Sequence, residues 1–149
     1  MKDKLFYYKD GTTSSIDDNS KTLHRTDGPA AEYANGDKIW YVNGKRHRLD
    51  GPALEYANGD KKWYVDGKLH RVDGPAAEYA NGDRFWLVDG KRHRVDGPAV
   101  EWVDGRGSWY VEYKRYNEKE FNKLIEEVKE LPLALRLIDP REWVRNYEG

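Results

Sequence analysis

The chain contains no cysteine, which excludes disulfide bonds and thiolate metal sites. No apolar run approaches the ~20 residues of a membrane-spanning helix, and the first residues lack the apolar core of a signal peptide. These absences favour a protein of a reducing, cytoplasmic compartment. Charges of one sign do not cluster either, and the net charge is −1. The overall electrostatics therefore favour neither nucleic acid nor a membrane surface as the partner.

Hydrophobic residues are also scarce, at 38% against 36% charged residues, which argues against a thick globular core. Such a polar composition is typical of disordered chains, but disordered chains are poor in aromatic residues. Here the aromatic content is 13%. Four tryptophans also recur at one constant spacing: Trp40, Trp63, Trp86 and Trp109. The periodic aromatic positions therefore predict a packed structure.

Four similar stretches of 23 residues account for this spacing; they begin at His24, His47, His70 and His93. The third reads HRVDGPAAEYANGDRFWLVDGKR, and the fourth begins to diverge. A short fixed period is typical of repeat arrays, in which each unit buries its apolar side chains only by stacking on its neighbours. An array of this kind offers an extended surface rather than a deep cleft, which favours binding over catalysis.

Each repeat contains two turn signals with a strand between them. Asn35-Gly36 and Asn43-Gly44 are strong hairpin signals, because both residue types tolerate positive φ. Between them lies KIWYV, which is rich in β-branched and aromatic residues. The second strand is longer and is interrupted by Asp-Gly-Pro. The sequence therefore predicts a mainly β fold: a single-layer antiparallel meander, or solenoid, of stacked and bent β-hairpins with a C-terminal helical cap.

Two registers are open for the hairpin around Asn35-Gly36. A two-residue turn would place Ala31 and Tyr33 on the same face as Trp40. A turn with a one-residue bulge instead groups Ala31, Tyr33, Ile39 and Tyr41, and leaves Glu32, Lys38 and Trp40 on the other face. We favour the bulged register, because it separates positions that are constant among the copies from positions that vary. One face would then be architectural, and the variable, aromatic face would be free to bind.

The repeat resembles the MORN repeat, whose 23-residue units combine an NGK run, a His-Gly-x-Gly segment and a Tyr-x-x-Gly-Asp turn. In this chain NGKRH and EYANGD match, whereas HRxDGPA replaces the His-Gly-x-Gly segment. The HRxDGPA form, followed by a helix, is similar to repeat proteins common in bacteriophage and bacterial genomes. The resemblance covers about residues 24–116. It implies a scaffold or interaction module, and more specifically an inhibitor of a host defence protein; binding of anionic lipids is a further alternative that it implies.

The segments outside the repeats are interpreted as caps, which gives three regions: 1–23, 24–116 and 117–149. Upstream, the segment 4–11 echoes the WYVDG strand and turn and predicts a degenerate capping strand. Downstream, Asn117 and Glu120 form a capping-box pattern before apolar residues at helical spacing. Asp139-Pro140 opens a second predicted helix. The apolar faces of these helices either seal the sheet edge or dock a partner or a second copy of the chain.

The leading functional hypothesis is a protein partner bound by the variable aromatic face. The predicted binding residues on that face are Tyr33, Ile39, Tyr41, Tyr56, Tyr64, Tyr79, Phe85, Leu87 and Tyr110. Self-association is a second expectation, because a thin sheet exposes apolar area and large exposed apolar patches usually mark interfaces. The sequence gives no support for a membrane partner.

The alternative hypothesis is a nucleic-acid interface built from a stripe of arginines and histidines, in which arginine would contact phosphates and aromatic rings would stack on bases. The residues of this stripe are Arg46, His47, Arg48, His70, Arg71, Arg92, His93 and Arg94. The equal number of carboxylates argues against it, and only a segregation of charge between the two faces would favour it. In the structural interpretation, the arginines instead pair with the aspartates two residues later.

We predict no catalytic residues, no metal ligands and no cofactor. Successive histidines should lie roughly 10 Å apart, whereas zinc holds each ligand at about 2 Å. Nucleophile–base patterns and glycine-rich phosphate loops are also absent from the sequence. The sequence therefore favours a non-enzymatic protein.

Overall fold

The fold was analysed in a computed structural model that describes residues 4–130. The described chain is mainly β-strand and ends in one helix. Eleven of the strands form a long antiparallel sheet in hairpin meander order that does not close on itself. The predicted fold class is therefore confirmed. No helix among the described residues has the length and apolar character needed to cross a membrane.

The chain divides between Leu69 and His70 into two compact units. The strands of the N-terminal unit are β1 (Leu5–Tyr7), β2 (Thr13–Ser14), β3 (Ala31–Glu32), β4 (Lys38–Ile39), β5 (Tyr41–Val42), β6 (Lys45–Arg46), β7 (Leu54–Glu55), β8 (Lys61–Lys62), β9 (Tyr64–Val65) and β10 (Lys68–Leu69). Its part of the long sheet runs in the order β2-β1-β3-β4-β7-β8, while β5-β6 and β9-β10 form separate two-stranded hairpins.

The C-terminal unit repeats this arrangement and adds the helix. Its elements are β11 (Ala77–Glu78), β12 (Arg84–Phe85), β13 (Leu87–Val88), β14 (Lys91–Arg92), β15 (Val100–Glu101), β16 (Gly107–Val111), β17 (Lys114–Tyr116) and α1 (Glu118–Glu130). Its part of the long sheet runs in the order β11-β12-β15-β16-β17, and β13-β14 is its separate hairpin.

The sequence predicts an interruption at Asp-Gly-Pro, but the strand between the two turns also breaks at the tryptophan in the first three repeats, while β16 runs unbroken through Trp109. Strand β4 ends at Ile39 and β5 begins at Tyr41, because the backbone N–H of Trp40 donates to the carbonyl of Ala53 (2.8 Å). The same carbonyl–amide pair joins Ala99 to Trp86 (2.7 Å) in the C-terminal unit. The returning segment that contains Asp-Gly-Pro forms no strand. Each of the first three repeats therefore consists of one hairpin in the long sheet and one separate hairpin, whereas both hairpins of the fourth repeat share β16 within the long sheet.

The bulged register is confirmed. Ala31 is paired with Ile39 and Glu32 with Lys38, and the N–H of Tyr33 donates to the carbonyl of Asp37 (2.9 Å). The turn also ties neighbouring repeats together. Asp37 Oδ1 accepts the N–H of Ala57 (2.7 Å), and Asp83 Oδ1 accepts the N–H of Val103 (2.8 Å). The aspartate of the Asn-Gly-Asp run thus positions the turn of the next copy.

The second turn keeps its backbone shape even where its sequence is lost. Asn43 and Gly44 have φ values of 50° and 76°. Glu112 and Tyr113, at the same place in the fourth copy, have φ values of 44° and 76°. Positive φ is unfavourable for residues with a Cβ other than Asn and Asp. The last hairpin therefore holds two residues in a strained conformation. In the other three copies, the same two positions are occupied by Asn or Asp and by Gly.

Each unit has its own small apolar core. In the N-terminal unit, Leu54 (1% exposed) packs with Phe6, Tyr8, Ala31 and Ile39. In the C-terminal unit, Val111 packs with Phe121 and Ile125 of α1, and Trp109 lies against this cluster. The alanines of the four DGPA runs are fully buried: Ala30, Ala53, Ala76 and Ala99. The cores are thin, as the composition indicated.

Both segments interpreted as caps contain regular structure. Strand β1 of the segment 4–11 pairs with β3 on one side and with β2 on the other, so that β2 is the last strand at this end of the sheet. At the other end, the Asn117 side chain accepts the N–H of Glu120 (2.8 Å), while the Glu120 carboxylate accepts the N–H of Asn117 (3.1 Å). This reciprocal pair is the predicted capping box. The second predicted helix, from Asp139-Pro140 onward, lies outside the described residues.

Candidate functional site

Cross-strand pairing divides the strand residues of each unit into two faces. We define the tyrosine face as the side that carries Ala31, Tyr33, Ile39 and Tyr41 and their equivalents in the other copies. Ala31 opposes Ile39, and Tyr41 opposes Arg46 in the separate hairpin. The opposite side, which carries Glu32 and Lys38 and their equivalents, is the glutamate face. The structure therefore groups the predicted binding residues of each unit on one side of its strands.

In the N-terminal unit, the tyrosine face is partly core. Ile39 is only 8% exposed, so its side chain is unavailable to a partner while the unit is folded. Tyr33 is half-buried and meets Phe6 edge-to-face, with ring centres 5.6 Å apart. Burial raises the pKa of Tyr33, with a further increase from Tyr41. Tyr41, Tyr56 and Tyr64 pack against the same core and remain half-exposed.

Arg46 stands among these tyrosines. Its guanidinium carbon lies 5.4 Å from the centre of the Tyr64 ring, and its backbone pairs with Tyr41. Burial acts to lower the pKa of Arg46, but hydrogen bonds to Tyr41 and Tyr64 outweigh it and raise the pKa. Arg46 therefore remains charged on a face that is otherwise mainly aromatic.

The tyrosine face of the C-terminal unit is more open. Phe85 meets Tyr79 and Trp102 edge-to-face, each with ring centres 5.2 Å apart. Trp102 is 38% exposed, and Val103 beside it is 65% exposed. Tyr79, Phe85 and Trp102 thus form a continuous aromatic cluster that reaches solvent.

The separate hairpin of this unit adds polar contacts to the same face. Leu87 opposes Arg92, and the Arg92 guanidinium donates to the hydroxyl of Tyr110 (3.2 Å). Its Cζ lies 5.2 Å from the centre of the Tyr110 ring. Four predicted binding residues, Tyr79, Phe85, Leu87 and Tyr110, therefore lie on one face together with Arg92.

Our sequence reasoning missed Trp102 and Val103. Trp102 occupies the repeat position of Tyr33, and Val103 occupies that of Ala34. Aligning the fourth copy with the other three would have revealed both. The sequence analysis also assigned Arg46 and Arg92 only to the arginine–histidine stripe. Their position among the aromatic side chains depends on the break at the tryptophan, which the sequence did not predict.

The repeat arginines of the nucleic-acid alternative are used inside the fold. Cζ of Arg94 lies 3.8 Å from the centre of the Trp86 ring. Its Nε donates to Asp96 (2.8 Å), and its Nη1 donates to the carbonyl of Pro98 (3.0 Å) and to Glu101 (2.7 Å). Arg48 does the same, over Trp40 at 3.9 Å. Arg71 also donates to its aspartate, proline carbonyl and glutamate.

The glycine of each Asp-Gly-Pro run makes room for this guanidinium. A Cβ at Gly51 would lie 3.0 Å from Cζ of Arg48, and a Cβ at Gly97 would lie 3.0 Å from Cζ of Arg94. Any residue with a Cβ at these positions would therefore require the guanidinium to shift. The constant HRxDGPA motif therefore encodes a loop folded around its own arginine, and the predicted arginine–aspartate pairing within each repeat is confirmed.

The four histidines also have one common structural position. Each Nδ1 accepts the backbone N–H of the first residue of the second turn: His24 from Asn43 (3.0 Å), His47 from Asp66 (3.1 Å), His70 from Asp89 (3.0 Å) and His93 from Glu112 (3.0 Å). The histidines therefore hold the positive-φ turns in place.

This arrangement predicts that the protein loses stability in weak acid. Burial lowers the pKa of His70 from 6.5, although Asp89 acts in the opposite direction. The unfolded chain therefore takes up this proton at higher pH than the folded chain. The stabilisation from His70 is complete above pH 6.5 and is lost as the pH falls from there through the folded-state pKa.

The measurement is urea unfolding at pH 7 and at pH 5. We expect a lower free energy of unfolding at pH 5, and a smaller difference between the two pH values in His70→Gln. An equal pH dependence in the wild type and in His70→Gln would contradict this role of the histidine.

No group of three or more His, Asp or Glu residues within the described part of the chain could hold a metal ion. Surface cavities of about 390 and 430 Å³ contain no histidine; they are lined around Tyr8 and Lys21, and around Trp109 and Tyr116. No family model matches this chain, and a search of curated proteins gave no significant match.

Proposed function

We propose that this protein is a non-enzymatic interaction module that binds another protein through the tyrosine face. The observation that carries the proposal is the aromatic cluster of Tyr79, Phe85 and Trp102, which reaches solvent beside Arg92. Tyrosine, tryptophan and arginine are the residue types enriched at the energetic centres of protein interfaces.

The constant polar residues of the repeat already have partners within the fold. Their engagement favours the tyrosine face as the binding surface. The HRxDGPA arginines contact Trp40 and Trp86, and the histidines accept turn N–H groups. The side chains of Arg48, Arg71 and Arg94 are only 21%, 22% and 18% exposed, so the HRxDGPA arginines offer little free guanidinium to a phosphate. Contacts to a partner would therefore fall mainly on the positions that differ among the copies.

The resemblance of the HRxDGPA repeat to proteins of bacteriophage and bacterial genomes supports a narrower proposal. In it, the partner is a host protein, such as a defence nuclease, and the chain inhibits it in the host cytoplasm. The structural features above support only the interaction module, and the identity of the partner is to be found by affinity capture from host lysate with and without nuclease treatment.

The decisive measurement uses the purified partner identified by that capture. We expect Trp102→Ser to weaken binding about 30-fold, since truncating a central interface residue typically costs 2 kcal/mol or more. Arg106→Ser is the matched control, because Arg106 lies on the same hairpin and its side chain is 77% exposed. A folded Trp102→Ser variant with unchanged affinity would exclude the tyrosine face as the binding surface.

A further inference from the structure

The two faces of each unit differ in charge. Strand positions on the tyrosine face of the N-terminal unit include Arg46 and Lys62 but no carboxylate, as the cross-strand pairs show. In the C-terminal unit the same face carries Arg92 and Arg115, which oppose Leu87 and Tyr110, and again no carboxylate. Cations lie on both faces, but carboxylates at strand positions lie only on the glutamate face of the described strands.

The glutamates at strand positions lie on the glutamate face, where they form ion pairs with the arginines of the HRxDGPA motif. Arg48 Nη1 lies 3.0 Å from Glu55, and Arg94 Nη1 lies 2.7 Å from Glu101. Glu78 is bound in the same way by Arg71 (3.3 Å). These carboxylates are neutralised where they stand, so they do not offset the cations of the tyrosine face.

We propose that the partner presents aspartate or glutamate side chains to the tyrosine face, between apolar contacts. This inference rests on the proposed interaction function and names the chemistry of its partner. Arg92 is exposed, and it already donates to the hydroxyl of Tyr110. A carboxylate placed at this pair would accept charge-assisted hydrogen bonds from both groups. Phe85 and Trp102 supply the apolar contacts in the same unit.

The spacing of the cations favours an acidic protein segment over nucleic acid. Two strand cations per unit, on hairpins roughly 10 Å apart, match separate carboxylates. A DNA strand carries one phosphate per ~3.4 Å, which is far denser. The aromatic rings also meet each other edge-to-face, at 62° for Tyr79–Phe85 and 82° for Phe85–Trp102, which leaves few ring faces for stacked bases.

A displayed library of random 12-residue peptides tests the proposal on the full chain. We expect peptides selected by the wild type to be enriched about threefold in Asp and Glu over the unselected library, with apolar residues between them. Selection with Arg92→Glu should instead enrich Lys and Arg. Arg106→Glu is the matched control, because this exposed arginine lies on a turn, and it should select the same acidic peptides as the wild type.

The affinity of one selected peptide for the wild type and for Arg92→Glu then measures how much Arg92 contributes to binding. Arg92→Glu should weaken it at least ~30-fold, because a like-charge contact replaces an attraction. Peptides that depend on Trp102 but show no acidic enrichment would overturn this inference and leave the interaction module intact. Binding of oligo-dT with a steep salt dependence, lost in Arg92→Glu, would overturn it in favour of nucleic acid. A library that yields no binders would overturn both the inference and the proposed function.

Discussion

Arg94→Ala is expected to lower the free energy of unfolding by roughly 3 kcal/mol, because it removes one partner of a largely buried, charged hydrogen-bond network. The Arg94 guanidinium contacts the Trp86 ring, and it donates to Asp96, Glu101 and the carbonyl of Pro98. Its loss removes the hydrogen bonds that Arg94 donates to the Pro98 carbonyl and to Glu101, and it uncovers the ring. Urea unfolding followed by tryptophan fluorescence and circular dichroism measures the change.

Two matched variants make this prediction specific. Arg94→Lys keeps the charge but lacks the planar fork, and it should recover less than half of the loss. Arg106→Ala removes an exposed arginine that also pairs with an aspartate two residues away, and it should leave stability nearly unchanged. Equal effects of Arg94→Ala and Arg106→Ala would show that the guanidinium is not part of the repeat core.

Leu54→Ala is expected to destabilise the protein by about 3 kcal/mol, through lost burial and the cavity that remains. Leu54 is 1% exposed and is the largest side chain that is fully buried among the described residues. It packs with Phe6, Tyr8 and Ile39 in a core too thin to collapse around the space. Thermal and urea unfolding provide the measurement.

The natural variation among the copies makes the Leu54 test informative. Ala31 and Ala77 occupy the equivalent position, so alanine itself suits this backbone. Leu49→Ala is the control, because Leu49 is 80% exposed and should change stability by less than about 0.5 kcal/mol. If Leu54→Ala were as mild as Leu49→Ala, the N-terminal unit would not depend on a core at Leu54.

Local signals in the sequence were sufficient to predict the architecture. The 23-residue period predicted the meander, and the comparison of constant with variable positions selected the register that pairs Ala31 with Ile39. The capping box at Asn117 and Glu120 needs only a spacing of three residues. Each of these features depends on residues close in sequence or on the repeat itself, which is why pattern alone was enough.

Features that depend on contacts between copies were not predictable in the same way. The spacing of the tryptophans predicted that they pack but not what they contact: Trp40 and Trp86 each lie against the arginine of the following copy. A ring and a guanidinium eight residues apart along the chain give no local pattern. The partial burial of the tyrosine face at Ile39 depends on Phe6 and Tyr8, which belong to the capping segment.

The candidate site was predictable in its composition but not in its electrostatics. Tyr79, Phe85, Leu87 and Tyr110 were identified from the variable positions, and they do share a face. The cations could be assigned to that face only once the pairing of Leu87 with Arg92 and of Tyr41 with Arg46 was known. A single residue of uncertainty at the bend reverses the side on which each arginine lies.

The hydrogen bonds that Ala57 donates to Asp37 and Val103 donates to Asp83 each join a turn to the turn of the adjacent copy. Duplication or deletion of one 23-residue segment would therefore recreate the same bonds at the new junction. Natural selection can lengthen or shorten such a protein in whole modules without redesigning its two ends. The number of aromatic contacts offered to a target then becomes a heritable quantity that changes in discrete steps.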